Sequence, residues 1–238
     1  EGLLLSDLQR IIDSVKKATK EAQVDIITGD TKVVEHGSAD KLFINTAGIG
    51  KIPEGVSISG SNAKPGDKII LSGTIGDHGI AVLSQRQGLS FGTKLESDCA
   101  PIGNMVAEML KASKNIHSLR DPTRGGLATT LNELAKQSKV GIRIEESKIP
   151  VRSEVAGACE MLGLDPLYIA NEGKLVAIVN PGDAEEILAA MKRNKYGRNA
   201  VIIGEVITEH PERVVMKTLL GSSRIVDMLV GEPLPRIC

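Results

Sequence analysis

The 238-residue sequence is poor in aromatic side chains, with no Trp, two Tyr and two Phe. Its 29 basic and 30 acidic residues nearly balance, and the basic ones form no long run. Proteins that bind single-stranded nucleic acids combine a basic groove with aromatic stacking platforms, so we expect no nucleic-acid partner. The hydrophobic core must be built from Ile, Val, Leu and Ala, for which a chain of this length suffices.

Cysteine is also sparse, with three residues at positions 99, 159 and 238. They form no CxxC pair and no even-numbered framework, and the four histidines are dispersed, so we expect neither a disulfide scaffold nor a structural zinc site. This cysteine usage fits the reducing cytoplasm. No apolar run approaches the length that crosses a bilayer, and the first residues show no signal-peptide pattern, so no membrane contact is expected.

Apolar spacing predicts that strands and helices alternate along the chain. Helices are expected at 6–22, 76–85, 101–112, from the glycines at 125 and 126 to 138, 152–163 and 183–194. Strands are expected at 24–28, 42–49, 69–72, 140–145, 174–179, 200–208 and 213–217. The alternation is typical of an α/β protein, and the Gly-, Ser- and Pro-containing stretch 53–67 is the expected boundary between two domains.

Asp30, Thr31 and Lys32 follow a glycine at the end of the first predicted strand. A carboxylate, a hydroxyl and an ammonium at this point could hold magnesium and the phosphates of a nucleotide. A solvated turn explains the same residues equally well, because Gly-Asp is a common turn dipeptide.

The segment 121–128, DPTRGGLA, leads into a predicted helix. Gly125 and Gly126 would present backbone N–H groups to an anion at the helix start, and Arg124 could clamp that anion in a bidentate way. Walker A and GxGxxG spacings are absent, so a nucleotide site here would be neither of the P-loop nor of the Rossmann type. Helix capping alone would explain Asp121, but it would not explain Arg124 followed by two glycines.

Asn171 and Glu172 stand directly before the apolar strand that is predicted at 174–179. A carboxylate at such a strand end could serve as a general base. Taken alone, the pattern favours a polar turn that precedes the strand.

The sequence closes with GEPLPRIC, residues 231–238, in which two prolines disfavour both a helix and a central strand. When stretched, this segment could move the Cys238 sulfur by on the order of 25 Å, enough to leave one pocket and enter another. A mobile arm that carries a thiol and an ordinary frayed terminus explain the segment equally well.

Six motifs together resemble the HypE family of hydrogenase maturation proteins, which belongs to the PurM-like superfamily. They are GDTKVVE at 29–35, NTAGIG at 45–50, SGTIGDHGIAVLS at 72–84, DPTRGGLA at 121–128, ANEGK at 170–174 and the closing PRIC. The resemblance covers essentially the whole chain, and the closing PRIC is its most specific mark.

The resemblance implies an α/β fold of PurM-like two-domain architecture with mixed sheets, in which the first domain is truncated. Residues 1–60 would be the remainder of an N-terminal ATP-binding and dimerisation domain, 61–230 the C-terminal α/β domain and 231–238 a flexible tail. Family members carry an upstream segment with strands and an acidic ATP-magnesium motif, and that segment is absent before Glu1.

The resemblance also implies an activity, the ATP-dependent dehydration of a carbamoyl group on Cys238 to a thiocyanate, which supplies cyanide to the iron of [NiFe]-hydrogenase. Cys238, Glu172 and Lys32 would be catalytic, and Asp30 would hold Mg²⁺ with ATP. The implied ATP-binding residues are Asp30, Thr31, Lys32, Asp121, Thr123, Arg124, Gly125, Gly126 and Asn171.

The implied partners are the carbamoyltransferase HypF, the HypC–HypD iron-scaffold complex and, for a full-length protein, a second copy of the chain. Two alternatives stay open. One is another PurM-like ATP-dependent kinase or synthetase that acts on a free small molecule, and the other is a non-catalytic carrier.

Overall fold

The computed structural model describes residues 1–88, 95–229 and 231, and the chain divides into two compact units at residues 54 and 55. The first unit contains one helix, α1 (Leu5–Ala22), as predicted from its apolar spacing. The helix ends where Gln23 adopts a left-handed conformation, with φ 57°, and donates its N–H to Lys20. None of residues 1–54, all of which are described, is buried.

The two strands predicted in this first unit, at 24–28 and 42–49, are absent, so both predictions are wrong. Most of the apolar side chains of these runs are exposed instead, including Ile27 at 87% and Phe43 at 77%. A strand is stable when a neighbouring strand pairs with its backbone N–H and C=O groups, and an apolar run alone does not supply that neighbour.

The second unit is built on a sheet of seven strands among the described residues, in the order β2-β4-β1-β5-β3-β6-β7. The strands are β1 (Lys68–Leu71), β2 (Ile116–Arg120), β3 (Gly141–Glu145), β4 (Val176–Val179), β5 (Val201–Ile207), β6 (Val214–Lys217) and β7 (Ser223–Val226). The β3–β6 pair is parallel and the other pairs are antiparallel, so the sheet is mixed as predicted.

Helices cover both faces of the sheet. They are α2 (Asp77–Gln87), α3 (Gly103–Ala112), α4 (Gly126–Ser138), α5 (Ser153–Leu162) and α6 (Ala184–Arg193). Because successive side chains of a strand point to opposite faces, Ile69 of β1 packs in one core cluster with α4, whereas Ile70 packs in another with α3 and α6. None of the described helices combines the length and the apolar character needed to cross a bilayer.

The predicted helices and strands of this second unit are confirmed to within a few residues, but β2 and β7 were not predicted. Polar residues interrupt β2. One of them, Ser118, is buried, and its hydroxyl donates to the Ser59 carbonyl at 2.7 Å, which offsets the cost of burying it. β7 is an edge strand with mostly exposed side chains. Neither strand therefore shows the apolar pattern that sequence reasoning requires.

Candidate active site

Asn171 is fully buried and joins three loops of the second unit. Its side-chain NH₂ donates to the carbonyls of Pro122, at 2.9 Å, and Ile169, at 3.0 Å. Its side-chain oxygen accepts the N–H of Gly76 at 2.8 Å, directly before α2. The amide thus fixes the approach to α2, the approach to α4 and the segment before β4 with respect to one another.

The two glycines at the start of α4 allow a close approach to the segment before β4. Gly126 has φ +63°, and a Cβ built on it would lie 2.5 Å from the Leu167 carbonyl and 2.7 Å from the Ile169 carbonyl. Gly125 has φ +74° and caps the helix. The Gly126 N–H donates to Thr123 at 3.0 Å, so this amide is already used within the loop.

Glu172, which follows Asn171, is held by its backbone. Its N–H donates to one carboxylate oxygen of Asp98 at 2.9 Å, and the other oxygen of Asp98 lies 3.3 Å from the Lys174 ammonium. The Oε1 atom of Glu172 is buried and accepts no hydrogen bond from the described residues. A carboxylate oxygen in that state can accept a proton from a ligand without first giving up a protein donor.

The segment around Asp98 also contacts the start of α2. His78 is 8% exposed and shares a 2.8 Å hydrogen bond between its Nδ1 and the Ser97 hydroxyl, which in turn accepts the Cys99 N–H at 3.1 Å. The Cys99 sulfur lies 3.9 Å from the same Nδ1. Ser97, Asp98 and Cys99 are therefore attached to both α2 and the Glu172 segment.

A pocket of about 290 Å³ opens beside Gly173 and Lys174. Its charged lining side chains are Glu96, Asp98, Arg152, Lys174, Lys195 and Arg198. Two of the four cationic groups are paired with carboxylates, Lys174 with Asp98 at 3.3 Å and Arg152 with Asp77 at 3.4 Å. Cationic groups still outnumber carboxylates in the lining, which favours an anionic ligand such as a phosphate group.

Cys159 lies outside this site, in a cluster with Ile80 and Val155. Burial, together with the charge of Asp165, raises the pKa of its thiol to about 11. The thiol is therefore protonated at neutral pH and is not a candidate nucleophile.

The structure brings together the sequence-predicted residues of the second unit, because Asn171 links the loop 121–125 to Glu172. Asp30, Thr31 and Lys32 lie in the first unit, where all three are exposed. There the Asp30 carboxylate accepts the Thr31 N–H at 2.8 Å. Cys238 lies outside the described residues.

Known proteins resemble this chain over its whole length. The family described as "AIR synthase related protein, C-terminal domain" matches residues 64–217. Carbamoyl dehydratase HypE of Cupriavidus necator is 55% identical over 238 residues, which are 100% of this chain and 68% of that protein. The chain belongs to the HypE family. Its membership confirms the resemblance and the PurM-like α/β class.

Two solved structures of HypE proteins extend the comparison. One is HypE in complex with ATP, with a TM-score of 0.95 and 48% identity over 100% of this chain and 72% of that one. The other is a HypE–HypF complex, with a TM-score of 0.93 and 50% identity over 96% of this chain and 74% of that one.

Sequence reasoning did not assign a role to Asp98 or Lys174, although both contact the Glu172 segment. Lys174 is the last residue of the motif ANEGK, so the sequence does mark its position. Asp98 is 74 residues from Glu172 in sequence, and no local pattern reports a contact of that range.

Within residues 1–88, 95–229 and 231, no three His, Cys, Asp or Glu side chains lie close enough together to hold a metal ion. Magnesium that binds with a nucleotide takes only one or two protein carboxylates, since phosphates and water complete its coordination. The exposed Asp30 carboxylate, with one hydrogen bond from Thr31, fits that requirement.

Proposed function

We propose that this chain catalyses the ATP-dependent dehydration of a carbamoyl group on Cys238 to a thiocyanate, which supplies cyanide ligands for the iron of [NiFe]-hydrogenase. The observation that carries the proposal is the match along the whole chain to proteins named carbamoyl dehydratase HypE. The ATP complex of a relative at 48% identity supports ATP as the second substrate.

The chemistry proceeds by activation and then elimination. The oxygen of the S-carbamoyl group attacks the γ-phosphorus of ATP, so a C–O–P linkage forms, ADP leaves and one N–H proton is released. The C–O bond then breaks, phosphate leaves, the second proton departs, and the C–N bond becomes the triple bond of a thiocyanate. The sum converts carbamoyl-cysteine and ATP to thiocyanato-cysteine, ADP, phosphate and a proton.

Glu172 is the proposed base for these N–H protons. Its Oε1 is buried and accepts no hydrogen bond from the described residues, while its backbone is tied to Asp98. A base needs a fixed position and a free lone pair within hydrogen-bond reach of the proton that it removes. The free lone pair of Oε1 and the anchored backbone of Glu172 support this role.

The residues of the first unit would act on the nucleotide. The Lys32 ammonium would stabilise the charge of the transferred phosphoryl group, and it is the second candidate for the base. Asp30 would hold Mg²⁺, which neutralises phosphate charge when it is bound with ATP. Thr31 would contribute a hydroxyl to the same phosphates.

In the second unit, the loop before α4 is the proposed contact for the nucleotide. Arg124 is exposed, and its planar guanidinium suits phosphate oxygens. Gly125 and Gly126 allow that loop its left-handed turn, and Asp121 and Thr123 add polar groups to it. Asn171 would act on ATP mainly through the loop, since both ends of its amide are already hydrogen-bonded to backbone groups.

The proposed carbamoyl donor is a HypF-type carbamoyltransferase, which is supported by the HypE–HypF complex of a relative. The HypC–HypD complex would accept the cyanide, and the longer members of the family would pair as homodimers. The expected location is the cytoplasm, where thiols stay reduced.

Intact mass spectrometry of the chain with HypF, its carbamoyl donor, ATP and Mg²⁺ tests the proposal. We expect the addition of one carbamoyl group and then the loss of one water, with both changes mapped to Cys238. Cys238→Ser should abolish both changes, because a seryl oxygen cannot replace the thiolate nucleophile at neutral pH. Cys159→Ala, which removes a thiol outside the site, should retain both.

Two outcomes would overturn the proposal. ATP-dependent turnover of a free small molecule that survives Cys238→Ser would identify a different PurM-like kinase or synthetase. Carbamoylation of Cys238 with no affinity for Mg-ATP and no loss of water would identify a carrier.

A further inference from the structure

Asp98 contacts the backbone of Glu172 and the side chain of Lys174, two residues further along the chain. One carboxylate oxygen accepts the Glu172 N–H at 2.9 Å, and the other faces the Lys174 ammonium at 3.3 Å. The side chains of Asp98 and Lys174 are only 2% and 12% exposed, so this ion pair is largely shielded from solvent.

The backbone of Gly173 also packs closely against the backbone of residues 98–100. A Cβ built on Gly173 would lie 1.8 Å from the Asp98 carbonyl oxygen and 2.7 Å from the Ala100 nitrogen. The two segments thus approach each other so closely that position 173 has no room for a side chain. The peptide that follows Glu172 is fixed against the peptides around Asp98.

The segment that carries Asp98 is itself anchored. The Ser97 hydroxyl is hydrogen-bonded to His78 Nδ1 at 2.8 Å, at the start of α2. His78 is buried, which ties this segment to the core of the second unit. Ser97 and Asp98 therefore connect the start of α2 to the segment of Glu172.

We propose that Asp98 is a positioning residue that holds the Glu172 carboxylate where it removes protons from the carbamoyl nitrogen, an inference that rests on the proposed function. In this role Asp98 acts through the Glu172 backbone and takes no proton itself. A hydrogen bond from a backbone N–H to a charged acceptor is stronger than one between neutral groups, which suits an anchor of this kind. Lys174 compensates the buried charge of Asp98.

The substitutions Asp98→Ala and Asp98→Asn separate the two contacts. Alanine removes both, whereas asparagine with its oxygen toward the Glu172 N–H keeps that contact and turns an NH₂ group, which cannot accept a hydrogen bond, toward Lys174. We expect Asp98→Ala to lower kcat for the dehydration step by about tenfold to hundredfold, as misplaced catalytic groups do. The KM for ATP should change by no more than about twofold. The kcat of Asp98→Asn should lie between the kcat of the parent protein and that of Asp98→Ala.

Asp165→Ala is the matched control. The Asp165 carboxylate likewise accepts a backbone N–H, from Leu167 at 3.0 Å, and pairs with a base, Arg224, at 2.7 Å. It makes these contacts away from Glu172 and Lys174. We expect this variant to retain kcat. Because the Asp165 side chain is 34% exposed and that of Asp98 is 2% exposed, the thermal midpoint of every variant is measured, and kcat is compared well below the lowest midpoint.

A double-mutant cycle with Glu172→Gln tests whether Asp98 acts through Glu172. Residues that act as one unit are strongly non-additive. In the Glu172→Gln background, Asp98→Ala should therefore change kcat by less than about twofold. A full additional loss would overturn the proposal, as would a kcat for Asp98→Ala equal to that of Asp165→Ala.

Amide hydrogen exchange tests the contact without any activity measurement. The Glu172 N–H should exchange at least about tenfold faster in Asp98→Ala than in the parent protein or Asp165→Ala. Unchanged exchange would contradict the anchoring role. Slow exchange of the Glu172 N–H in the parent protein, together with no dehydration of carbamoyl-Cys238, would overturn the proposed function but not the contact between Asp98 and Glu172.

Discussion

The two units of the chain differ in whether their apolar residues are buried. Residues 1–54 include Ile27 and Phe43, yet no residue of this unit is buried. In the second unit the central strand β1 reads Lys-Ile-Ile-Leu, and its last three side chains are 0% exposed. Both regions contain runs of the same residue types.

The difference lies in what surrounds each run. β1 pairs with β4 on one side and with β5 on the other, and helices cover both faces of the sheet. No strand forms in residues 1–54, so neither apolar run there has a neighbour to complete its backbone hydrogen bonds. Hydrophobic stabilisation scales with the apolar area that is removed from water, so stability should reside almost entirely in the second unit.

The sharpest test of this comparison is a pair of matched isoleucine truncations. Ile178 of β4 is 0% exposed, so Ile178→Ala should lower the free energy of unfolding by about 2–5 kcal/mol through lost burial and a cavity. Ile27 is 87% exposed, so Ile27→Ala should change it by less than about 0.5 kcal/mol. Urea unfolding measures both. Equal losses would mean that the first unit buries its apolar residues in solution.

A pair of glycine substitutions should give a somewhat smaller difference. Gly126→Ala would place a Cβ 2.5 Å from the Leu167 carbonyl at a left-handed φ, so we expect a loss of about 2–3 kcal/mol. Gly48 in the first unit has no atom within 4 Å of the corresponding position, so Gly48→Ala should be close to neutral. Thermal unfolding compares the two. A neutral Gly126→Ala would show that the loop before α4 can move away from the segment before β4.

The same comparison explains what the sequence could predict. Periodicity reports which side chains share a face, and it therefore gave α1, the helices of the second unit and most of its strands. It does not report whether a strand finds a partner, so the run at 42–49 was predicted as a strand and the partly polar β2 was not predicted.

The candidate site divides in a similar way. Glu172 and the glycines at 125 and 126 stand out locally, because they combine polar or flexible residues with a strand or helix end. Asp98 has no such signal, since its importance comes from a contact with a residue 74 positions away. The motifs identified the family. The contacts that hold the Glu172 segment in place could be seen only in the three-dimensional structure.

The smallest expected contrast concerns charge pairs. Hydrogen bonds from Lys68, and then from Arg143, hold the pKa of Glu205 below its usual value of 4.5. A carboxyl whose pKa is lower in the folded than in the unfolded state stabilises the fold above its unfolded pKa, and this contribution disappears as the pH falls through the folded pKa. Glu205→Gln should therefore cost about 1 kcal/mol at neutral pH and progressively less below pH 4.5.

The matched control in the first unit is Asp7, which pairs with Arg10 on α1 at 3.3 Å with side chains 45% and 82% exposed. Solvent screens such a pair, so Asp7→Asn should change the free energy of unfolding by less than about 0.5 kcal/mol. Urea unfolding of both variants between acid and neutral pH measures the contrast. A pH-independent cost for Glu205→Gln would show that its side chain stabilises β5 through packing, because only an electrostatic contribution depends on the ionisation of the carboxyl.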